Sequence, residues 1–287
     1  MTVASARKPV NDRAALAATA VAAGLDLDAR DAEVLAGSNN TIVLLPRAQA
    51  VAKVGTSGLR GAAAKALTRE LEVVRYLQER HAPIVRPLSG ELAGPHETDG
   101  FVLTLWSFCP TTAEPERGAS LEAARTLGEV HDALADYPGE LPALGDHLAR
   151  AAALVADPNA TPLLAEDDRR TLLSAHEACA HLVAGATETR PLHGEPHDGN
   201  FLWTENGPRL IDFEATCRGP LEWDIAYFPD ETQVAFPDAR PELVRHCRLL
   251  VSFAVAAWCW SKPDRSLAVA EAARIHLGKV REWRSQM

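Results

Sequence analysis

Short apolar runs of strand type occupy the first hundred residues of the chain, and longer apolar stripes of helical period follow them. The short runs are bounded by turn residues, and most of them are rich in β-branched or aromatic side chains, which indicates strands. The predicted strands cover residues 33–36, 41–45, 50–54, 84–88 and 100–105. An Ala-rich helix from Arg13 to Ala23 is expected before them, capped by Asn11 or Asp12 after a loose terminus.

From Ser120 onward the apolar residues recur at intervals of three and four, which predicts helices. The predicted helices in this half cover a segment from Ser120 to His131 and residues 141–156, 163–182, 241–260 and 266–283. The chain therefore combines a strand-rich first part with a mostly helical second part, and its fold class is predicted to be α+β.

One lysine and one glutamate break the apolar pattern of the first part. Lys53 lies in the middle of the apolar strand 50–54, where a charge is costly without a partner. Glu70 falls inside the apolar stripe of a predicted helix over residues 67–80, between Leu67 and Val74. A buried lysine and a buried glutamate meet each other's need for a partner, so we expect an ion pair. The alternative is an edge-strand lysine that reaches solvent.

A hairpin is predicted at Asn206-Gly207, between the apolar runs 201–203 and 209–211. Counting six residues to either side of Asn206 places Asn200 opposite Asp212. Glu195 precedes them in a loop of Gly, Pro and Asp. One amide oxygen and two carboxylates then converge, and such hard oxygen donors suit Mg²⁺.

The motifs around this hairpin resemble those of the aminoglycoside phosphotransferase family of kinase-like enzymes. That family carries H-G-D-x-x-x-x-N followed by I-D-[FW]-[DE]. This chain has His193-Gly194-Glu195, then Asn200, then Ile211-Asp212-Phe213-Glu214. Both motifs match at family spacing, and one position departs, because Glu195 stands where the family has its catalytic Asp.

The resemblance implies a protein-kinase-like fold with two lobes, at residues 1–108 and 109–287. The first lobe would hold a five-stranded antiparallel sheet and one key helix, and it would bind ATP. Lys53 would hold the phosphates with Glu70 as its partner, and Asn200 and Asp212 would hold Mg²⁺. The turn Ser38-Asn39-Asn40 would cover the phosphates, although on its own it is an ordinary hairpin turn. The hinge residues Trp106, Ser107 and Phe108 are assigned by position, and an aromatic strand end is equally typical of core contacts.

The loop residues receive their roles from the same resemblance. Glu195 is the predicted catalytic base, and His193 is expected to brace the loop. His197 either faces the phosphates or caps the loop. Asp224 is expected to open a helix and to hold the loop by hydrogen bonds, and a simple helix cap is compatible with that role.

Composition narrows the function classes further. The formal net charge is −10, which argues against a nucleic-acid partner. Residues 1–108 carry 12 basic and 11 acidic side chains, whereas residues 109–287 carry 17 and 28. An acidic second half favours a cationic acceptor, and it also serves solubility alone. The five cysteines lack metal spacing, and the longest apolar runs span about 12 residues, so a cytoplasmic protein without membrane insertion is expected.

The leading hypothesis is an ATP-dependent O-phosphotransferase that modifies a hydroxyl of a small molecule. An aminoglycoside or another cationic antibiotic is one candidate acceptor class, and amino alcohols or sugars are another. A second hypothesis is a nucleotide-binding regulator whose Glu195 marks lost catalysis. A third is a metal hydrolase that uses His193, Glu195 and His197. The protein is expected to be a monomer or a homodimer.

Overall fold

The computed structural model describes residues 3–37, 40–56, 60–115, 118–186, 188–261 and 267–285. The chain divides into two compact units, and each is described by itself. Unit 1 comprises residues 1–137 and 198–215, and unit 2 comprises residues 138–197 and 216–287. The predicted lobe boundary after residue 108 stays a prediction.

A five-stranded antiparallel sheet forms the centre of unit 1, in the order β1-β2-β3-β5-β4. Its strands are β1 (Glu33–Gly37), β2 (Asn40–Leu45), β3 (Ala50–Gly55), β4 (His96–Thr98) and β5 (Phe101–Ser107). β3 is therefore the middle strand, with β2 and β5 on its two sides. This position explains why a lysine in β3 is buried rather than solvated.

The prediction of a strand at residues 84–88 is wrong. That segment makes only isolated bridges, Ile84 to Leu210 and Pro87 to Trp106. The remaining strand of the sheet is β4, at residues that no predicted strand covers. A three-residue edge strand is too short to show a hydrophobic period. Residues 84–88 do not join the sheet as a strand, and they contact Leu210 and Trp106 through the two bridges.

Two helices of unit 1 pack on the sheet. The first, α1 (Val3–Gly24), begins well before the predicted start, so the loose terminus and the cap at Asn11 or Asp12 were wrong. Its alanine face is fully buried with residues of β2, β3 and β5. The second, α2 (Arg60–Glu79), contains the predicted helix 67–80 except for its last residue. Unit 1 also contains α3 (Ala119–Leu134), whose His131 is 3% exposed.

The predicted hairpin is present in unit 1 as β7 (Phe201–Thr204) and β8 (Gly207–Leu210). Its register differs by one residue from the prediction. Thr204 pairs with Gly207 around the two-residue loop Glu205-Asn206, so Asn200 lies opposite Ile211 rather than Asp212. A loop with an even number of residues has its midpoint between two residues, here Glu205 and Asn206, whereas the prediction took Asn206 itself as the midpoint.

Unit 2 is mainly helical, as expected for the second half of the chain. Its elements are α4 (Leu144–Ala156), α5 (Glu166–Ala184), β6 (Arg190–Leu192), β9 (Cys217–Gly219), α6 (Glu222–Ile225), α7 (Pro241–Trp260) and α8 (Leu267–Ser285). β6 and β9 pair antiparallel and bring residues 190–192 beside 217–219. A core built on the apolar faces of α4, α5, α7 and α8 holds the unit together.

Helix α7 is the only described helix whose length and composition would allow it to cross a membrane. Within unit 2, 61% of its apolar window is buried. A core helix satisfies the same two criteria, so this helix by itself says little about a membrane.

Candidate active site

Lys53 forms the centre of a charged cluster in unit 1. Its Nζ lies 2.9 and 2.8 Å from the two carboxylate oxygens of Glu70, 2.7 Å from Asp212 Oδ1 and 2.6 Å from Glu214 Oε1. Lys53 is 7% exposed and Glu70 1%. These four residues, called the charged cluster below, come from β3, α2 and the segment after β8. The expected Lys53–Glu70 ion pair is therefore present.

Alternation along β3 explains how the pair forms. Ala52 and Val54 are fully buried in the cluster that contains α1, so the side chain of Lys53 points to the opposite face of the sheet. Glu70 meets it there from α2, where the neighbouring Leu67 and Leu71 are buried. Burial of the apolar neighbours of each residue therefore turns the side chains of Lys53 and Glu70 towards each other.

The charges of the cluster control one another's ionisation. Burial alone would lower the pKa of Lys53, but the carboxylates of Glu70, Asp212 and Glu214 raise it above its ordinary value. Burial, together with the nearby Asp212 and Glu214, raises the pKa of Glu70 to about 7, against the opposing effect of Lys53. Lys53 is therefore a permanent cation, and Glu70 is the group of the pair that takes up a proton in mild acid.

Asp212 and Asn200 offer the oxygen donors predicted for a metal ion. Asp212 has a φ of 67°, an unusual backbone conformation for a residue with a side chain, and its side chain is 39% exposed. Asn200 is 5% exposed at the start of the β7–β8 hairpin, and its carbonyl oxygen accepts from the N–H of Ile211 at 3.0 Å. A carboxylate and a carboxamide fit a hard divalent cation such as Mg²⁺, which takes few protein ligands.

Glu214 is a member of the charged cluster that the sequence analysis left without a role. Its Oε1 also accepts from Asn40 Nδ2 at 2.6 Å, and its backbone oxygen accepts from Arg69. The signal was present, because Glu214 ends the I-D-F-E motif two residues after Asp212. Glu214 therefore joins Lys53 to Asn40 at the start of β2.

The remaining nucleotide-binding candidates belong to unit 1. Ser38 and Asn39 lie outside the described residues, and Asn40 begins β2. Trp106 and Ser107 end β5, and Phe108 follows them. The N–H groups of Ser107 and Phe108 donate to Arg86 O and Gln49 O, so a contact from these two residues to adenine would use their carbonyl groups.

In unit 2, the 193–195 loop is held by a short segment around α6. Asp224, fully buried, accepts from the N–H of His193 at 2.8 Å and from the N–H of Gly194 at 2.9 Å. The indole Nε1 of Trp223 donates to Gly194 O at 2.7 Å. Gly194 has a φ of 96°, which a side chain would disfavour. Both peptide groups of Gly194 are thus bound by side chains, which fixes the direction in which Glu195 leaves the loop.

His193, Glu195 and His197 have distinct environments in that loop. His193 is fully buried, and its Nδ1 accepts from the N–H of Glu195 at 3.3 Å. Glu195 is half-buried, and its carbonyl oxygen accepts from the N–H of the exposed His197 at 2.9 Å. Among the described residues, no group of three or more His, Cys, Asp or Glu side chains could hold a metal ion.

Trp223 and Tyr227 were missed by the sequence analysis. Trp223 lies between Glu222 and Asp224 in the sequence, and this pattern gives no indication of a bond to Gly194. Tyr227 makes an edge contact with Trp223. Burial, followed by the charges of Glu195 and Asp224, raises the pKa of Tyr227 well above its ordinary value. Tyr227 is therefore a neutral hydroxyl within the electrostatic range of Glu195.

The sequence profile described as the phosphotransferase enzyme family matches residues 31–247. The chain belongs to this family. The prediction of a phosphotransferase that acts on small molecules is thereby confirmed at family level. No curated protein matches the phosphotransferase significantly in sequence.

Solved structures share its fold at low sequence identity. An amicoumacin kinase in complex with AMP-PNP, Ca²⁺ and Ami is 12% identical, with 89% of each chain covered and a TM-score of 0.64. A choline/ethanolamine kinase family protein from Mesorhizobium loti is 14% identical, with 92% of each chain covered and a TM-score of 0.65. A thermostable mutant of an aminoglycoside phosphotransferase, in ternary complex with AMP-PNP and hygromycin B, is 14% identical over 88% of this phosphotransferase and 92% of its own chain, with a TM-score of 0.61. The predicted kinase-like α+β fold is confirmed.

Proposed function

We propose that this phosphotransferase moves the γ-phosphoryl group of ATP, with Mg²⁺, to a hydroxyl group of a small cationic molecule. The charged cluster carries the proposal, because it gathers a buried lysine and the carboxylate of Asp212 in one compact unit, as phosphate and metal binding require. Solved structures of the same fold contain AMP-PNP together with amicoumacin or hygromycin B. Those ligands belong to the proteins named, and they support the proposal by analogy of fold.

Each group has a role in the proposed transfer. Lys53 binds α- and β-phosphate oxygens, and Asn200 and Asp212 hold Mg²⁺, which would neutralise the charge of the phosphates when bound. The acceptor oxygen bonds to the γ-phosphorus as the bond to the β-phosphate oxygen breaks. Glu195 orients the acceptor hydroxyl and takes its proton, and Asp224 and Trp223 keep the loop in place.

The acceptor class is inferred from charge. Residues 109–287 have an excess of 11 acidic over basic side chains, from 28 and 17 respectively. A field of this sign attracts cations and raises their rate of encounter. Aminoglycosides and other cationic antibiotics, and amino alcohols, are therefore the acceptors to test first.

We also infer that the protein acts in the cytoplasm.

The experiment is phosphate transfer from Mg–ATP to a panel of aminoglycosides, cationic peptide antibiotics, amino alcohols and sugars, read by product mass. We expect one panel class to gain a single phosphate. Asp212→Ala should lower turnover by about 10³-fold and Glu195→Gln by about 10²-fold. Glu205→Gln, at an exposed position of the hairpin loop, is the matched control and should transfer phosphate as the wild type does.

Glu195 in place of the family Asp is the observation that favours the regulator as a second candidate. A protein that binds Mg–ATP and transfers phosphate to no acceptor would support that candidate. Glu is one methylene longer than Asp, and a displacement of about 1 Å can lower a rate by about 10²-fold. Transfer by Glu195→Asp from an otherwise silent protein would identify the side-chain length as the cause.

A further inference from the structure

Helix α1 places one polar side chain, Asn11, against the end of the β1–β2 hairpin. Asn11 Oδ1 accepts a hydrogen bond from Thr41 Oγ1 at 3.0 Å. Thr41 is fully buried, and its hydroxyl has two partners inside the protein, Asn11 and, at the longer distance of 3.4 Å, Thr56 Oγ1. In the β1–β2 register, Thr41 lies opposite Gly37. Asn11 therefore binds Thr41, one of the two residues of the Gly37–Thr41 pair at this end of the hairpin.

Gly37 supplies the space that Asn11 occupies. A Cβ atom added at Gly37 would lie 2.0 Å from Asn11 Nδ2, 2.6 Å from its Cγ and 2.8 Å from its Oδ1. The carboxamide thus occupies the space that a side chain at position 37 would need. Asn11 heads the face of α1 that buries Ala14 and Ala18, and such small residues allow the helix to approach the sheet closely.

The strand that Asn11 supports leads directly to the charged cluster. Asn40 precedes Thr41 in β2, and its side chain binds Glu214, which in turn contacts Lys53. A shift of Thr41 would be passed to Asn40 through the backbone and from there to Glu214. Residues 31–247 match the family profile, so Asn11 lies in a part of the chain outside that match.

We propose that Asn11 is a positioning residue for nucleotide binding, which acts from α1 by holding the Gly37–Thr41 end of the hairpin. The inference rests on the proposed function, since it assumes that Lys53 and Asn40 contact the phosphates of the nucleotide. Asn11 itself touches protein only, through Thr41 and Gly37. Its effect therefore falls on the affinity for the nucleotide and leaves the acceptor side unchanged.

The test measures Mg–ATP affinity by isothermal titration calorimetry, together with the KM values for nucleotide and acceptor. Asn11→Ala should weaken Mg–ATP binding about fivefold, the equivalent of one hydrogen bond, with the acceptor KM unchanged. Thr41→Val should weaken binding at least as much, because it also removes the contact with Thr56, and Thr41→Ser should have no effect, because serine keeps the hydroxyl. Leu16→Ala, at a position of α1 that is 67% exposed, is the control.

A suppressor pair makes the contact itself testable. Gly37→Ala alone should weaken Mg–ATP binding more than Asn11→Ala does, since its methyl group meets the carboxamide. In the double variant Asn11→Ala/Gly37→Ala the clash is gone, and binding should return to the level of Asn11→Ala. Equal damage by Gly37→Ala in both backgrounds would overturn the inference.

Failure of this inference can be told apart from failure of the proposed function. Wild-type protein that does not bind Mg–ATP would overturn both. Wild-type protein that binds and transfers phosphate, with Asn11→Ala binding Mg–ATP equally well, would overturn the inference alone. The same would follow if Asn11→Ala raised the nucleotide and acceptor KM values by the same factor, because that result indicates a general structural role.

Discussion

The charged cluster of unit 1 and the 193–195 loop of unit 2 hold their candidate catalytic groups by different means. In the cluster, the carboxylates of Glu70, Asp212 and Glu214 each bind the ammonium group of Lys53 directly. In the loop, Asp224 and Trp223 bind the peptide groups that precede Glu195. The cluster therefore controls the ionisation of its members, whereas the loop controls the direction in which Glu195 leaves it.

This difference predicts how each region responds to change. The members of the cluster depend on one another's charge, so removing one charge alters the ionisation and the position of the others. The loop depends on hydrogen-bond geometry, so a substitution there alters where Glu195 points and leaves the phosphate-binding charges intact. Damage to unit 1 should therefore affect nucleotide binding, and damage around α6 should affect turnover.

Glu70→Gln is expected to have the largest effect. The change replaces a carboxylate oxygen that accepts from Lys53 Nζ with an amide nitrogen that is itself a donor, so two donors meet in a buried site and a loss of about 3 kcal/mol of unfolding free energy is expected. The kcat/KM for nucleotide should fall about 10²-fold, mainly through KM. Urea unfolding and steady-state kinetics measure the two quantities.

Glu72→Gln is the matched control for that experiment. It removes the same charge from an exposed position of α2, two residues away, and should change the unfolding free energy by less than about 0.5 kcal/mol. An equal effect of both substitutions would show that the charge of the helix, rather than the buried pair, matters.

Trp223→Phe should have a smaller effect of a different kind. A phenyl ring is retained in place of the indole, but the carbonyl oxygen of Gly194 loses its donor, which costs about 1–3 kcal/mol of unfolding free energy for a buried acceptor. We expect kcat to fall about tenfold as Glu195 shifts, with the KM for nucleotide unchanged.

Trp258→Phe is the comparison variant, since within the described residues its buried indole N–H donates to no acceptor. It removes the same atoms without removing a hydrogen bond, and kcat should stay at the wild-type value. A rise in the nucleotide KM of Trp223→Phe would contradict the division of roles between the two regions.

The smallest expected effect is an opposite response of the two units to acid. Burial, with the charges of Asp212 and Glu214, raises the pKa of Glu70 from its ordinary 4.5 to about 7, so its contribution to stability is present at low pH and is lost as pH rises through 7. Burial lowers the pKa of His147 and of His276 from 6.5 to about 4, so their contributions are present above pH 6.5 and are lost as pH falls through 4.

Amide hydrogen exchange at pH 5 and pH 7, corrected for the intrinsic rate, measures each unit separately. Between pH 7 and pH 5, peptides of α4 and α8 should lose protection relative to those of α2. His147→Gln and His276→Gln should reduce that loss. A fall in protection of the same size in all three helices would argue against these assignments.

Much of the charged cluster could be predicted from the sequence, because its signals are local. Lys53 interrupts an apolar strand and Glu70 interrupts an apolar helix face, and each exception stands out against its own periodicity. The hairpin was equally clear, but a register depends on whether the loop has an odd or an even number of residues. Because the loop has two residues, Asn200 lies opposite Ile211 and not, as predicted, opposite Asp212.

The features that the sequence did not predict depend on contacts between distant segments or belong to elements too short to show a hydrophobic period. The start of α1 was missed because Pro9 and nearby basic residues resemble a loose terminus, whereas burial of the alanine face stabilises the helix. Strand β4 has three residues between turn-forming neighbours. No spacing rule connects Asn11 with Thr41 or Gly194 with Trp223, because those contacts exist only once the fold brings the segments together.

Unit 1 is completed by a segment that the ribosome makes late. The chain leaves unit 1 after Tyr137 and returns for residues 198–215, which supply Asp212 and Glu214 and the bridge from Leu210 to Ile84. At 5–20 residues per second, the ribosome needs roughly 4–16 s to advance from residue 137 to residue 215. During that interval the nascent chain has Lys53 and Glu70 but lacks Asp212 and Glu214, two of the three acidic partners of the lysine. Unit 1 can therefore not fold to completion as a simple N-terminal fragment, because its fold includes residues that are synthesised only after the first segment of unit 2.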